Sequence, residues 1–194
     1  MDLKLLAWGR ATARRLGRKA PPVLWLFTDS DRLPDPLPAA ARLPKGIAGV
    51  VLRHDGHPDR VAIGRALARI CRARRLALVV AGDVRLAAAL GAGVHLRAGR
   101  WPRPPRRPGL VTSSAHTLPD LRRAARNGAS VAFLSPAFAT ASHPGAPGLG
   151  ACRWAALAAR AGVPVAALGG VTGDSIRRLR RGFCHGVGAI GALA

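Results

Sequence analysis

Residues 76–82 read LALVVAG, a run of small and branched apolar residues without a polar side chain. Polar and apolar residues do not alternate in it, so a strand here would be buried on both faces, as in a parallel sheet. Seven further runs of this kind follow one another along the chain: 23–28, 46–53, 92–98, 109–115, 130–138, 164–170 and 186–193. The sequence therefore predicts eight buried parallel strands.

Amphipathic segments separate these runs. In residues 58–74, Val61, Leu67 and Ile70 recur at helical spacing, with arginines on the other side. Similar segments are found at 83–91, 119–127, 151–161 and 173–181. Strands that alternate with helices predict an α/β fold, and eight such strands predict a (β/α)8 TIM barrel.

Two segments shape this prediction further. Residues 100–108, RWPRPPRRP, cannot form a normal helix because of their prolines, and no eighth barrel helix is expected after strand eight. An open doubly wound sheet is therefore the alternative. Residues 1–20 are predicted to form a short amphipathic helix that packs on the domain and partly covers the gap. We expect residues 1–194 to form one domain, with the barrel proper from about residue 21.

The composition favours anionic partners. The chain carries 31 Lys and Arg against 9 Asp and no Glu, a net charge of +22, and 49% of its residues are hydrophobic, which argues against disorder. Biased composition is an equal explanation of this charge. A nucleic-acid partner is not favoured, because aromatic residues make up 4% of the chain and Tyr is absent.

The three cysteines are far apart in the sequence and include no CxxC pair. They predict neither a disulfide framework nor a zinc site, which points to a reducing, cytoplasmic setting. No apolar stretch approaches the length of a membrane span, so no membrane partner is expected. A homodimer is left open.

Glycine-rich turns follow the last two predicted strands. Gly169 and Gly170 end strand seven, and Gly188 and Gly191 lie in and after strand eight. Glycines let backbone N–H groups approach phosphate oxygens, and TIM barrels commonly bind phosphate after strands seven and eight. The turns predict a phosphate site; the alternative is two ordinary connecting turns.

Two histidines lie on neighbouring strands. His116 follows strand five in the sequence TSSAHT, where it could act as a general acid or base or be only a structural hydrogen-bonding residue. The direction of His95 on strand four is not fixed by alternation, and a hydrogen-bonded core histidine is the favoured interpretation. After strand six comes a hydroxyl-rich segment, 139–149, suited to closing over an anionic ligand.

Four stretches together resemble the thiamine phosphate synthase/TenI family. They are SSAHT, FLSPAFATASHPGAPGLG, VPVAALGGVTGDSIRRL and GVGAIGAL, in this order; the earlier LWLFTD, VVLR and DVRLAAALGAGVHL fit the family's first four strands. The resemblance spans residues 23–193 and implies a TIM barrel of the thiamine pathway. The synthase joins a pyrimidine pyrophosphate to a thiazole phosphate with magnesium. The TenI branch instead tautomerises the thiazole phosphate, using a histidine in the motif that SSAHT resembles.

The resemblance also implies ligand contacts. It implies that His116 transfers the proton and that Thr140 and Ser142 belong to the loop over the substrates. In this chain His143 stands where the family usually has Lys, and Gly191 stands where a Ser is common. The complete set of expected ligand contacts is Arg53, Ser114, Thr140, Ser142, His143, Gly169, Gly170, Gly188 and Gly191.

The chain departs from the synthase in the first half of the barrel. The pattern Gln-x-Arg-x-Lys after strand two is Val51, Arg53 and Asp55 here, so only the arginine is kept. The Asn-Asp after strand three aligns with Ala81 and Gly82, and the second magnesium carboxylate aligns with Gly99 or Arg100. Asp83 lies one position late and would need a shifted loop.

Magnesium prefers carboxylate and other oxygen ligands, so the sequence predicts no metal ligands and no cofactor. Magnesium is expected only if the protein is a synthase after all. Arg53, Arg97 and Arg100 lie near the expected cavity and could supply the missing positive charge.

Three functions follow from these residues. The first is a thiamine-pathway barrel that binds a thiazole phosphate and tautomerises it with His116. The second is a divergent synthase that also takes a pyrimidine pyrophosphate. The third is a non-catalytic phosphate-binding barrel.

Overall fold

A closed barrel of parallel strands forms the centre of the computed structural model, which describes residues 1–97, 109–140, 145, 147–180 and 182–194. In chain order the strands are β1 Leu24–Phe27, β2 Ala48–Leu52, β3 Ala77–Ala81, β4 Gly93–Leu96, β5 Val111–Ala115, β6 Val131–Leu134, β7 Val165–Leu168 and β8 Gly186–Ala189. Each strand pairs with the next, and β8 returns to β1 with Leu24 opposite Val187. The pairing of β1 with β8 confirms the barrel and excludes the open sheet.

Several strands are shorter than the apolar runs that predicted them. The run 130–138 contributes only β6, although Ala137 and Phe138 beyond it are buried. The run 186–193 contributes only β8 and then turns into a short 3₁₀ helix, Gly191–Leu193. A run of hydrophobic residues indicates that a segment is buried, and a buried turn beyond the end of a strand has the same composition as the strand itself.

Helices cover the outside of the barrel. They are α1 Leu3–Leu16, α2 Leu37–Arg42, α3 Arg60–Arg74, α4 Val84–Leu90, α5 Leu118–Arg126 and α6 Gly150–Ala158. The sequence analysis did not predict α2, because prolines surround it; they lie at its cap and first turn, where a proline costs no helical hydrogen bond.

The helix expected over 173–181 is wrong: only a four-residue 3₁₀ turn, Ser175–Arg178, forms there. The Thr172 hydroxyl accepts the Ser175 N–H, and the Ser175 hydroxyl accepts the Thr172 N–H, so these side chains cap the short turn at its start.

Helix α1 confirms the predicted N-terminal helix and packs beside β8. Its first turn lies near Ala192, whose carbonyl accepts the Asp2 N–H at 2.8 Å. Its last turn lies near the start of β8, where Arg15 donates to the Cys184 carbonyl at 3.3 Å. The helix therefore runs antiparallel to β8, in the place that a helix after the last strand takes in a complete (β/α)8 barrel.

Aromatic side chains fill the interior of the barrel. The rings of Phe27 and Phe133 meet edge to face at 4.8 Å, and those of Trp25 and Phe133 at 5.6 Å. Glycine makes room for them: a Cβ on Gly188 would lie 2.6 Å from the Phe27 ring. The lower barrel is thus a packed core, and a site can form only at its carboxyl end.

The cysteines are all free thiols, as the sequence analysis expected. Burial raises the pKa of Cys71 and that of Cys184 to about 12, so neither forms a thiolate near neutral pH. In the described part of the chain, none of the helices has the length and apolar character needed to cross a membrane.

Candidate active site

A cavity of about 810 Å³ opens at the carboxyl ends of the strands. Two groups of residues line it. We call residues 168–172 and 188–192, which follow β7 and end β8, the glycine rim. We call Arg32, Arg53 and Arg97, which follow β1, β2 and β4, the arginine rim. The two glycine-rich turns therefore face one cavity, as the sequence analysis expected.

The glycine rim depends on a backbone that only glycine adopts without strain. Gly169 and Gly170 have φ of 87° and 63°. A Cβ on Gly170 would lie 2.2 Å from the Ala139 carbonyl oxygen. Among the described residues, no acceptor takes the N–H of Gly170 or of Val171. The turn thus presents main-chain donors without a protein partner.

The second turn of the glycine rim is less constrained. Gly191 opens the 3₁₀ helix, and nothing lies within 4 Å of the place where its Cβ would stand. A serine, the residue that is common here in the family, would fit. Gly188 lines the cavity from within β8, where its missing Cβ leaves room for Phe27.

His116 projects into the cavity from the end of β5. Its Nδ1 lies 2.9 Å from the Ser135 carbonyl oxygen, which can only accept, so Nδ1 carries the proton and donates. In the neutral ring Nε2 then holds the lone pair, and Nε2 has no protein partner in the described part of the chain. The ring does not cap α5; Thr117 and Asp120 form the capping box instead.

His95 points inward, which answers the question that alternation left open. It is 2% exposed, with Nδ1 2.9 Å from the Thr112 hydroxyl and Nε2 2.8 Å from the Ser114 hydroxyl. Burial, helped by Arg53 and Arg97, lowers the pKa of His95 to about 3, so the ring is neutral near pH 7. Ser114 lines the cavity, so His95 holds a hydroxyl at its floor.

Ion pairs hold the arginine rim. Asp29 pairs with Arg32 at 2.7 Å and with Arg53 at 3.7 Å. The hydrogen bond from Arg32 is the main reason that the pKa of Asp29 falls to about 2. Asp55, which lines the cavity, pairs with Arg97 and, at 3.5 Å, with Arg60.

The residues present do not fit the magnesium ion that the resemblance associates with the synthase. Ala81 and Gly82 offer no carboxylate, and the Arg97 side chain lies over Gly82, its Nε 2.9 Å from where a Cβ would be. Asp83 caps α4 through Leu86 N–H at 2.8 Å and pairs with Arg60 at 3.5 Å. Residues 98–108 contain no carboxylate.

Asp55 is thus the one carboxylate among the described residues that line the cavity, and it already has two arginine partners. No cluster of three His, Cys or Asp side chains suited to a metal occurs in the described ranges.

Most of the predicted contacts come together in this cavity. The predicted residues that line it are Arg53, Ser114, His116, Thr140, Gly169, Gly170, Gly188 and Gly191. Ser142 and His143 lie outside the described residues. The sequence analysis did not single out Arg32 or Ser135, since neither belongs to a motif. Arg97 is two positions after the inward His95, a spacing that puts both on one face of a strand.

Comparisons with known proteins agree with this architecture. A family model described as thiamine monophosphate synthase matches residues 26–193. The chain is 29% identical over 160 residues to the putative thiamine-phosphate synthase 2 of Aquifex aeolicus, covering 76% of this chain and 83% of that one. It is 33% identical over 141 residues to the thiamine-phosphate synthase of Parasynechococcus marenigrum, covering 70% of this chain and 40% of that one.

A solved structure shows the same fold. The thiamine phosphate pyrophosphorylase of Pyrococcus furiosus superposes with a TM-score of 0.74 at 24% identity, over 88% of this chain and 86% of that one. The family model spans nearly the whole barrel, from β1 through β8. The chain therefore belongs to the thiamine phosphate synthase/TenI family of thiamine biosynthesis.

Proposed function

We propose that this protein binds a thiazole phosphate in the barrel cavity and moves a proton on the bound ring through His116. The observation that carries the proposal is the hydrogen bond from His116 Nδ1 to the Ser135 carbonyl, which puts the lone pair of the neutral ring on Nε2, at the cavity. A base with a defined tautomer and a free lone pair is what a tautomerase needs.

The phosphate of the ligand would bind at the glycine rim. The N–H groups of Gly170 and Val171 lack protein acceptors in the described structure, and successive N–H groups in a turn form an anion-binding concavity. The rim carries no charged side chain, so affinity would come from the main chain.

His116 would take a proton from one position of the heterocycle through Nε2 and return it at another. The Ser135 carbonyl accepts from Nδ1 throughout and stabilises the imidazolium that forms between the two transfers. The Ser114 hydroxyl, held by His95, would orient the ring at the floor.

A divergent synthase is the second candidate, and the arginine rim favours it. Three guanidinium groups line the same cavity as the glycine rim, and the diphosphate of a second substrate would meet positive charge there. Curated relatives bear the name thiamine-phosphate synthase. No step in this candidate would depend on a metal, because the described cavity lacks the carboxylates to hold one.

Two assays on the same preparation separate the candidates. The first follows isomerisation of the thiazole phosphate; the second adds pyrimidine pyrophosphate and measures thiamine phosphate and pyrophosphate. We expect isomerisation, and we expect His116→Asn to lower its rate by about 10²-fold or more, the size of a general acid–base contribution. His185→Asn is the matched control, because His185 directly precedes β8 at the end away from the cavity, and its ring bonds to the Phe183 carbonyl.

An unchanged rate in His116→Asn would remove this residue from the mechanism. Thiamine phosphate formation without isomerisation would establish the synthase. Ligand binding without either reaction would leave the non-catalytic barrel.

A further inference from the structure

Asp2, just before α1, bonds to both turns of the glycine rim. Its N–H donates to the Ala192 carbonyl at 2.8 Å. Its Oδ2 accepts from the Gly173 N–H at 2.6 Å, directly after Thr172. The same residue thus joins the turn after β7 to the turn after β8, although it lies 171 positions from Gly173 in the sequence.

The contact between α1 and the rim is close-packed as well as hydrogen-bonded. A Cβ on Gly173 would lie 2.4 Å from the Lys4 Cβ and 2.5 Å from Asp2 Oδ1. The Gly173 hydrogen bond is the largest cause of the lowered pKa of Asp2, so this side chain is a carboxylate. The segment after Thr172 therefore cannot shift toward α1 while the helix is docked.

We propose that Asp2 is a positioning residue for the glycine rim, fixing the two turns at the separation in which the free N–H groups of Gly170 and Val171 receive a phosphate. The inference rests on the proposed binding of phosphate at that rim. A turn held before the ligand arrives loses less conformational freedom on binding, and this preorganisation appears as affinity.

The two carboxylate oxygens of Asp2 accept hydrogen bonds from different parts of the chain, so a substitution can remove one bond and keep the other. Oδ1 caps α1 by accepting from Leu5 N–H at 3.0 Å, while Oδ2 serves Gly173. In Asp2→Asn the amide oxygen keeps the helix cap, but the NH₂ group then faces the Gly173 N–H, donor against donor. The shorter Asp2→Ser also caps a helix. We expect it not to reach Gly173.

The measurements are the affinity for inorganic phosphate by calorimetry, KM and kcat for the thiazole phosphate, and the melting temperature. We expect both Asp2 variants to bind phosphate about tenfold more weakly, about 1.4 kcal/mol, and to raise KM with kcat unchanged. Lys4→Ala is the matched control, because it keeps the Cβ that packs near Gly173 and removes the exposed ion pair with Asp174 from the same helical turn.

A purely structural role would lower the melting temperature of the Asp2 variants and leave their phosphate affinity equal to that of Lys4→Ala, which would overturn the inference. If wild-type protein binds phosphate and the variants bind it equally well, this inference fails and the proposed function stands. If wild-type protein binds no phosphate, both fail.

Discussion

The two rims of the cavity use different chemistry for the same kind of ligand. The glycine rim offers main-chain N–H groups in turns that contain no charged side chain. In the arginine rim and its partners, four arginines (Arg32, Arg53, Arg60 and Arg97) are paired with three aspartates (Asp29, Asp55 and Asp83). Four positive charges less three negative ones leave a net charge of +1 on the residues of these ion pairs.

This difference shows where the family resemblance can be trusted. The N–H groups of the glycine rim depend only on the path of the backbone, and the family's motifs are clearest there. In the arginine rim the guanidinium groups are already in ion pairs, so an incoming anion would have to compete with Asp29 and Asp55 for their arginines. The following predictions test whether the two rims differ in how they bind an anion.

The largest effect is expected from Gly170→Ala, which would break the glycine rim. The new methyl group would meet the Ala139 carbonyl oxygen at 2.2 Å, and φ of 63° is strained for alanine. Such backbone strain costs of order 1–3 kcal/mol, and because the turn must also shift, we expect phosphate affinity to fall about 100-fold or more. Isothermal calorimetry measures it.

Gly191→Ala is the control, because its added Cβ has open space and the backbone there is ordinary. We expect it to bind phosphate within about threefold of wild type, since a surface change without a clash stays near ±0.5 kcal/mol. If the Gly170 and Gly191 variants bind phosphate equally well, the turn that contains Gly170 is not the anion site.

A decrease in pH is expected to have an intermediate effect on the stability of the protein, through the buried imidazole ring of His95. His95 has a folded-state pKa of about 3, below the 6.5 of an exposed histidine. Between these values the unfolded chain binds a proton that the folded chain does not, so stability falls as pH falls, by about 1.4 kcal/mol per pH unit.

Thermal unfolding of wild type and His95→Gln between pH 7 and about pH 4.5 measures this effect, above the range in which Asp carboxylates titrate. Glutamine can still donate once and accept once between Thr112 and Ser114. We expect the wild type to lose stability relative to the variant as the pH is lowered. Parallel curves would mean that neither burial nor Arg53 and Arg97 lowers the pKa of His95 in the folded protein.

The smallest effect is expected from magnesium. Excess Mg²⁺ or a chelator should change the affinity for thiazole phosphate by less than about twofold, because the carboxylates near the arginine rim already have arginine or backbone partners. Calorimetric titration with MgCl₂ measures direct binding. Tight binding that Asp83→Ala abolishes would overturn this prediction and favour a metal-dependent synthase.

The fold and the glycine rim could be predicted because they depend on residue types that act locally. Apolar runs mark barrel strands, and a glycine pair at a strand end marks a turn with positive φ. The lengths of the strands could not be predicted from these runs, because buried apolar residues such as Ala137 and Phe138 also lie outside the strands.

The arginine rim could not be predicted in the same way. Whether Asp55 is a ligand or an ion-pair partner depends on Arg97, which lies 42 positions later and reaches it only when β2, β3 and β4 are side by side. The direction of the His95 side chain could not be predicted either. In a strand that is apolar on both faces, the sequence does not show which residues point into the barrel. The bond from Asp2 to Gly173 joins residues that no local pattern connects.

Helix α1 also has a topological consequence. Because Asp2 donates to the Ala192 carbonyl, positions at opposite ends of the barrel sequence lie one hydrogen bond apart. A short glycine-rich linker could join them, and new ends could be opened at the exposed positions 45–46 before β2. In such a circular permutant α1 would follow β8 along the chain, as the last helix does in a complete (β/α)8 barrel.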